Sequence, residues 1–223
     1  MRILLATLLF AASLANAATI LSVTGSNNGT DNINQGQQIL ASSFTLSSTW
    51  SNITIAAELA SMTPNTEFFG TAYLTDAIGA SATSANNEAA PFVYSGTTAN
   101  FSTPAAITLF TGVTLGPGTY YLVLAQTNAQ SGGGAGWEDT GSPSVTTAPG
   151  VTLNSDERAN NPLDDSYPPG SSPFFVNDPG VLGTMMWSVT GTQGTTVPEP
   201  ATLGLLGFGL AGLVVVHRRR HAS

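Results

Sequence analysis

The chain has 223 residues, with 13 acids against five basic residues and no cysteine, for a formal net charge of −8 and a sequence pI near 4.3. No disulfide can form, and so acidic a surface repels nucleic acid, whose binding depends on Lys and Arg at the phosphates. It equally repels anionic lipid and anionic polysaccharide unless divalent cations bridge the charges.

At the N-terminus, Arg2 precedes an apolar stretch from Ile3 to Leu14, and Ala15-Asn16-Ala17 places small residues at both positions that a signal peptidase reads. Residues 1–17 are therefore expected to be a signal peptide, and the mature chain to begin at Ala18.

Residues 18–192 are enough for one domain with a sizeable core, and no repeat or charge run divides them. Short β-branched and aromatic runs recur there between Gly, Pro, Asn and Ser: 19–23, 43–46, 50–56, 68–74, 92–94, 107–115, 119–125, 151–153, 174–176 and 184–190. Several alternate with the strand period. In Trp50-Ser51-Asn52-Ile53-Thr54-Ile55, the two isoleucines point to one face and Asn52 and Thr54 to the other. Trp50 and Trp187 lie in such runs and are expected in the core. Helical periodicity is nearly absent between the two ends of the chain, with at most a helical turn around Asp76–Gly79. The runs on either side of Gly116-Pro117-Gly118 are expected to form a hairpin, because Pro117 presets φ and Gly118 can take the positive φ that follows. Repeated short strands with such turns predict an all-β fold, a single β-sandwich of jelly-roll type.

The same segment contains no His, Cys or Lys, since His217 and His221 both lie near the C-terminus. A Ser or Thr nucleophile then has no His or Lys base, thiol chemistry is absent, and zinc lacks its preferred ligands. Carboxylate chemistry survives, and paired acids could run a glycosidase reaction. Neighbours in sequence do not suggest such a pair, so the chain is read as non-enzymatic. With twelve acids against the single base Arg158, residues 18–192 carry a net charge of −11.

Between Gln126 and Gly183 the pattern breaks into a Gly, Pro, Asn and Asp-rich region with brief apolar runs. Trp137, Glu138 and Asp139 follow a glycine run there and are candidate ligand-binding residues: an indole can stack on a sugar ring while the acids accept its hydroxyls. The favoured reading is that Trp137 tucks under the loop and covers one end of the sandwich. Asp156, Glu157, Asp164 and Asp165 form an oxygen-rich cluster, a candidate calcium site, although no recognised calcium-loop motif is present and a solvated acidic loop is the default. No other cofactor is expected.

At the C-terminus, Thr192–Thr196 reads as a flexible linker. Val197-Pro198-Glu199-Pro200 follows, then an uncharged apolar run from Ala201 to Val216, then Arg218-Arg219-Arg220 within the last seven residues. As a helix the apolar run would be about 24 Å long against a hydrocarbon core of about 30 Å, a marginal span. The arginines would act as a cytoplasmic stop-transfer cluster, with Glu199 on the outer side.

This tail resembles the PEP-CTERM sorting signal of exported proteins in Gram-negative bacteria that make exopolysaccharide. The resemblance implies recognition and cutting near Val197–Pro200 by exosortase, a membrane protease. It divides the chain into a signal peptide (1–17), an extracellular domain (18–192), linker and sorting motif (193–200), a transmembrane segment (201–216) and a basic cytoplasmic tail (217–223). Residues 44–124 also look like the choice-of-anchor extracellular domains that accompany such tails, through Phe44-Thr45-Leu46, Trp50–Ile53 and the Leu115–Leu122 segment. The expected protein is an exported surface or matrix component, structural or adhesive in exopolysaccharide or biofilm, whose processing partners are signal peptidase and exosortase. A carbohydrate-binding module using Trp137 and the acidic loops is the alternative, and a carboxylate glycosidase the third reading.

Overall fold

Along residues 187–193, Trp187, Val189 and Gly191 are buried while Ser188, Thr190 and Thr192 are half-buried, which is the strand period read directly in burial. This is a computed structural model, and it describes residues 17–33, 38–61, 67–78, 87–95, 105–126, 135–159, 175–176 and 183–194. The described residues form strands and no helix. In chain order the strands are β1 (Ala18–Thr24), β2 (Gly29–Ile33), β3 (Ile39–Leu46), β4 (Trp50–Ser61), β5 (Glu67–Thr75), β6 (Asn87–Ser95) and β7 (Ala105–Leu115). There follow β8 (Gly118–Gln126), β9 (Ala135–Thr140), β10 (Ser144–Thr147), β11 (Val151–Ala159), β12 (Phe175–Val176), β13 (Thr184–Met185) and β14 (Trp187–Gln193).

They make two antiparallel sheets. The first runs β10-β1-β14-β4-β9-β13, with β7 also on β4 and β2 also on β9; the second runs β12-β11-β3-β8-β5-β6. One core joins them: Ile20, Ile53, Ile55 and Val189 of the first sheet pack in the same cluster as Leu40, Phe44, Leu122 and Leu124 of the second. Trp187 crosses the interface, edge-on to Phe44 at 5.5 Å, and the ring contacts extend within each sheet, from Trp187 edge-on to Trp137 at 6.5 Å in the first and from Phe44 to Tyr120 at 5.9 Å in the second. Each such side chain, removed from water, contributes about 1.5–3 kcal/mol. Trp50 and Trp187 are buried, as their alternating runs predict.

The all-β class holds, and each sequence-predicted run contributes to a strand. The strand orders lend no support to the jelly-roll connectivity. Three strands were not anticipated: β2, β9 and β10. Asp76–Ile78 is a bend rather than a helical turn, and Gly79 lies outside the described residues.

The largest departure is at Gly116-Pro117. No hairpin forms there, because β7 pairs with β4 in one sheet while β8 pairs with β3 and β5 in the other. Gly118 has φ of 157°, far from the value near +80° of a type II turn. The two residues make a corner between sheets, and the Tyr120 hydroxyl, donating to the Gly116 carbonyl at 3.1 Å, ties it. The turn after Leu46 crosses beside it: Leu46 is opposite Gly118 in one sheet, and Trp50 is opposite Leu115 in the other.

The C-terminal linker is also shorter than expected. Thr192 and Gln193 are paired with Ser51 and Trp50, so strand structure continues through Gln193. A shift in register between Thr190 and Thr192 accommodates Gly191, where a Cβ would come within 3.0 Å of Ile20 and 3.1 Å of Ile53.

Candidate functional site

Trp137, Glu138 and Asp139 lie on β9, a strand buried along its whole length. One edge of β9 takes β2, and the other takes the end of β4 and then β13. Gly136, next to the glycine run, serves close packing here: a Cβ on it would lie 2.6 Å from the Thr30 Cβ. Trp137 has no exposed surface, and its indole nitrogen donates to the Met186 carbonyl at 2.9 Å. The indole therefore offers no face to a sugar ring, which corrects its candidacy as a stacking platform. It is buried, as favoured, but as part of the central core rather than as a cover under a loop.

Alternation separates the two neighbouring acids. Asp31 lies opposite Trp137, and Gly29 opposite Asp139, so Asp31, Trp137 and Asp139 share one face and Glu138 takes the other. Glu138 and Asp139 therefore do not flank a common space. Both are closed to solvent, with relative exposures of 0% and 1%. Burial, then Asp139 and Glu58, push the Glu138 carboxyl up to about 8, which the nearby Asn27 side chain partly offsets.

On the other face, three aspartates from three strands come together. The Asp156 Oδ2 accepts from the Met185 amide at 3.0 Å, and Met185 is itself opposite Asp139. Burial pushes Asp31 up to about 6; Asp139 and Asp156 add to the rise and Arg158 opposes it. Asp139 and Asp156 are raised as well, chiefly by burial. Asp31 Oδ2, Asp139 Oδ1 and Asp156 Oδ1 are buried without a hydrogen bond, the setting in which a carboxyl retains its proton.

Sequence reasoning missed Asp31 as a member of this group. Its only local signal is the Asn27–Ile33 run, and the partners that matter are over 100 positions away. Of the candidate calcium ligands, Asp156 and Glu157 are successive residues on β11, with Glu157 accepting from the Ser155 hydroxyl at 3.1 Å. Asp164 and Asp165 lie outside the described residues. No group of three His, Cys, Asp or Glu among the described residues is placed to hold a metal ion.

The sorting residues Val197, Pro198, Glu199 and Pro200, the apolar run 201–216, the cluster Arg218–Arg220, and Ala15 of the signal-peptide reading lie outside the described residues. Ala17 is exposed immediately before β1. No helix among the described residues is long and apolar enough to cross a membrane.

Comparison with known families gives one match. Residues 196–220 fit the PEP-CTERM protein-sorting motif, a span that holds the Pro-Glu-Pro element, the apolar run and the arginine cluster. The chain thus carries the signal of an exported protein directed to processing at the membrane by exosortase. No curated protein and no solved structure matches the chain.

Proposed function

We propose that the exported β domain, read as a two-sheet sandwich, is a non-enzymatic structural or adhesive component of an exopolysaccharide matrix at or beyond the cell surface. The sorting motif at 196–220 carries this reading, because exosortase processing releases such a chain from the tail that holds it. The composition of residues 18–192 agrees: without His, Cys or Lys, and with a net charge of −11, the domain has few means of catalysis and strong solubility outside the cell. Signal peptidase cutting after Ala17 fits the start of β1 at Ala18. Divalent cations would bridge its exposed acids to anionic polysaccharide. The carbohydrate-binding alternative is weakened by the burial of Trp137, since its stacking face was the chief feature favouring it.

Intact-mass spectrometry of the protein recovered from outside the cells tests the sorting step. A C-terminus between Val197 and Pro200, in material that co-fractionates with exopolysaccharide, is the expected result. A chain still ending at Ser223 and found only in membranes would overturn the reading.

A further inference from the structure

Asn28-Gly29 is the single Asn-Gly pair in the chain. Glycine has no Cβ to shield its amide, so the Gly29 nitrogen is of the kind that can reach the Asn28 side-chain carbonyl carbon, Cγ. Asn28 is exposed, in the loop 25–28 that leads into β2.

The backbone at this junction is held from several sides. Asn28 N donates to the Asp139 carbonyl at 3.0 Å, and Gly29 stands opposite Asp139 as β2 begins. Gly29 N donates to Asn27 Oδ1 at 2.8 Å. The Asn27 side chain also lies beside the Glu138 carboxyl, whose raised proton affinity it partly offsets, so a neighbouring strand helps to fix it.

The bond to Asn27 bears on reactivity. Deamidation begins when the Gly29 nitrogen, having given its proton to hydroxide, attacks Asn28 Cγ. The bond from Cγ to the carboxamide nitrogen breaks, ammonia leaves with a proton taken from water, and a succinimide ring joins residues 28 and 29. Water then opens the ring at either carbonyl, leaving aspartate or isoaspartate at position 28. A Gly29 N–H that donates to Asn27 Oδ1 is harder to deprotonate, and its nitrogen cannot turn onto Cγ without breaking that bond.

We propose that Asn28 is a deamidation site of the β domain, and that the Asn27 carboxamide sets its rate by locking the Gly29 amide. Among the described strands β2 is hydrogen-bonded to β9 alone, so its start opens more readily than a strand paired on both edges, and the reaction proceeds through such openings. Isoaspartate adds a methylene to the main chain between the Asn28 N–Asp139 O bond and the Gly29–Asp139 pairing, so β2 loses its register with β9. Asp31 then leaves the place on β2 where Asp139 and Asp156 act on it. The inference stands apart from the sorting reading, since it needs only the folded domain and water.

The full chain and two variants, Asn27→Ala and Asn27→Ser, are purified in detergent and held at pH 8 and 37 °C, both folded and in urea. Conversion at residue 28 is read by peptide mass mapping, with isoaspartate separated from aspartate by chromatography. Folded Asn27→Ala should convert about two- to tenfold faster than wild type, the ratio that one hydrogen bond gives. Asn27→Ser keeps an acceptor two residues before the Gly29 amide and should stay within about twofold of wild type. In urea the three chains should converge on one rate. No conversion at residue 28 in the folded chain, while the chain in urea converts, would overturn the site. Equal folded rates for wild type and Asn27→Ala would overturn the lock. So would equal acceleration in Asn27→Ser, the mark of lost folding, or a difference that persists in urea, the mark of a purely local sequence effect. The added carboxylate lets converted wild type be isolated by ion exchange, and it should melt at a lower temperature; unchanged melting would overturn the effect on β2.

Discussion

The indole nitrogen of Trp137 donates to the Met186 carbonyl at 2.9 Å, and the same carbonyl accepts the Glu58 amide at 3.0 Å. Met186 is the residue between β13 and β14, so this contact sits where the edge of β4 passes from β14 to β9. Trp137→Phe keeps most of the buried area and loses the bond, and should lower unfolding stability by about 1–2 kcal/mol. Trp137→Ala should cost about 3–5 kcal/mol, the usual range for a large aromatic removed from a core. Urea denaturation of the domain followed by circular dichroism reads both; a midpoint unchanged in Trp137→Ala would mean that the indole is not in the core.

Two glycines should respond very differently to alanine. A Cβ on Gly183 would run into the carbonyl group of Thr140, which is backbone and cannot rotate away. Gly112 has φ of 74° and open space around its Cβ position, so only conformational strain opposes a side chain. Gly112→Ala should cost about 1–2 kcal/mol. Gly183→Ala should cost more, at least about 3 kcal/mol, or abolish folding. Thermal melts of the two variants side by side provide the comparison.

Stability should fall as pH rises from the acid range. In the folded state Glu138 is pushed up to about 8 and Asp31 up to about 6, both above the values of an unfolded carboxyl. The folded protein therefore binds more protons than the unfolded chain, and the stabilisation is fully present below about pH 4. It declines as pH passes through 6, and Glu138 continues the decline to about 8. The domain should melt higher at pH 5 than at pH 8.5, and Glu138→Gln should flatten the slope and raise the melting temperature at pH 8.5. A melting temperature that rises with pH over this range would contradict the buried acid arrangement.

The arginine cluster and the Pro-Glu-Pro element should fail in different ways. With Arg218, Arg219 and Arg220 replaced by serine, the short apolar run loses its stop-transfer charge, and chains ending at Ser223 should appear in the soluble exported fraction. With Glu199→Ala the run is still held, so uncut chains should accumulate in the membrane. Fractionation with intact-mass measurement separates the two outcomes, and the same distribution for both variants would count against a tripartite signal.

Much of this protein was legible in one dimension. Ile53 and Ile55 alternate with Thr54, Trp187 with Ser188, and a period of two residues is set by the backbone itself, so the all-β class and most strand positions follow from neighbouring residues. The sorting tail is equally local, because a signal read while the chain crosses a membrane has to be contiguous. What the tertiary structure decided was partnership. Turn chemistry at Gly116-Pro117 permits a reversal but does not say whether β7 and β8 then pair, and burial against β4, β3 and β5 sends them to different sheets. The same long-range burial drew Trp137 and the rest of β9 into the core and brought Asp31, Asp139 and Asp156 together from three strands. Their shared low-dielectric surroundings, absent from any sequence window, are what raise their proton affinity.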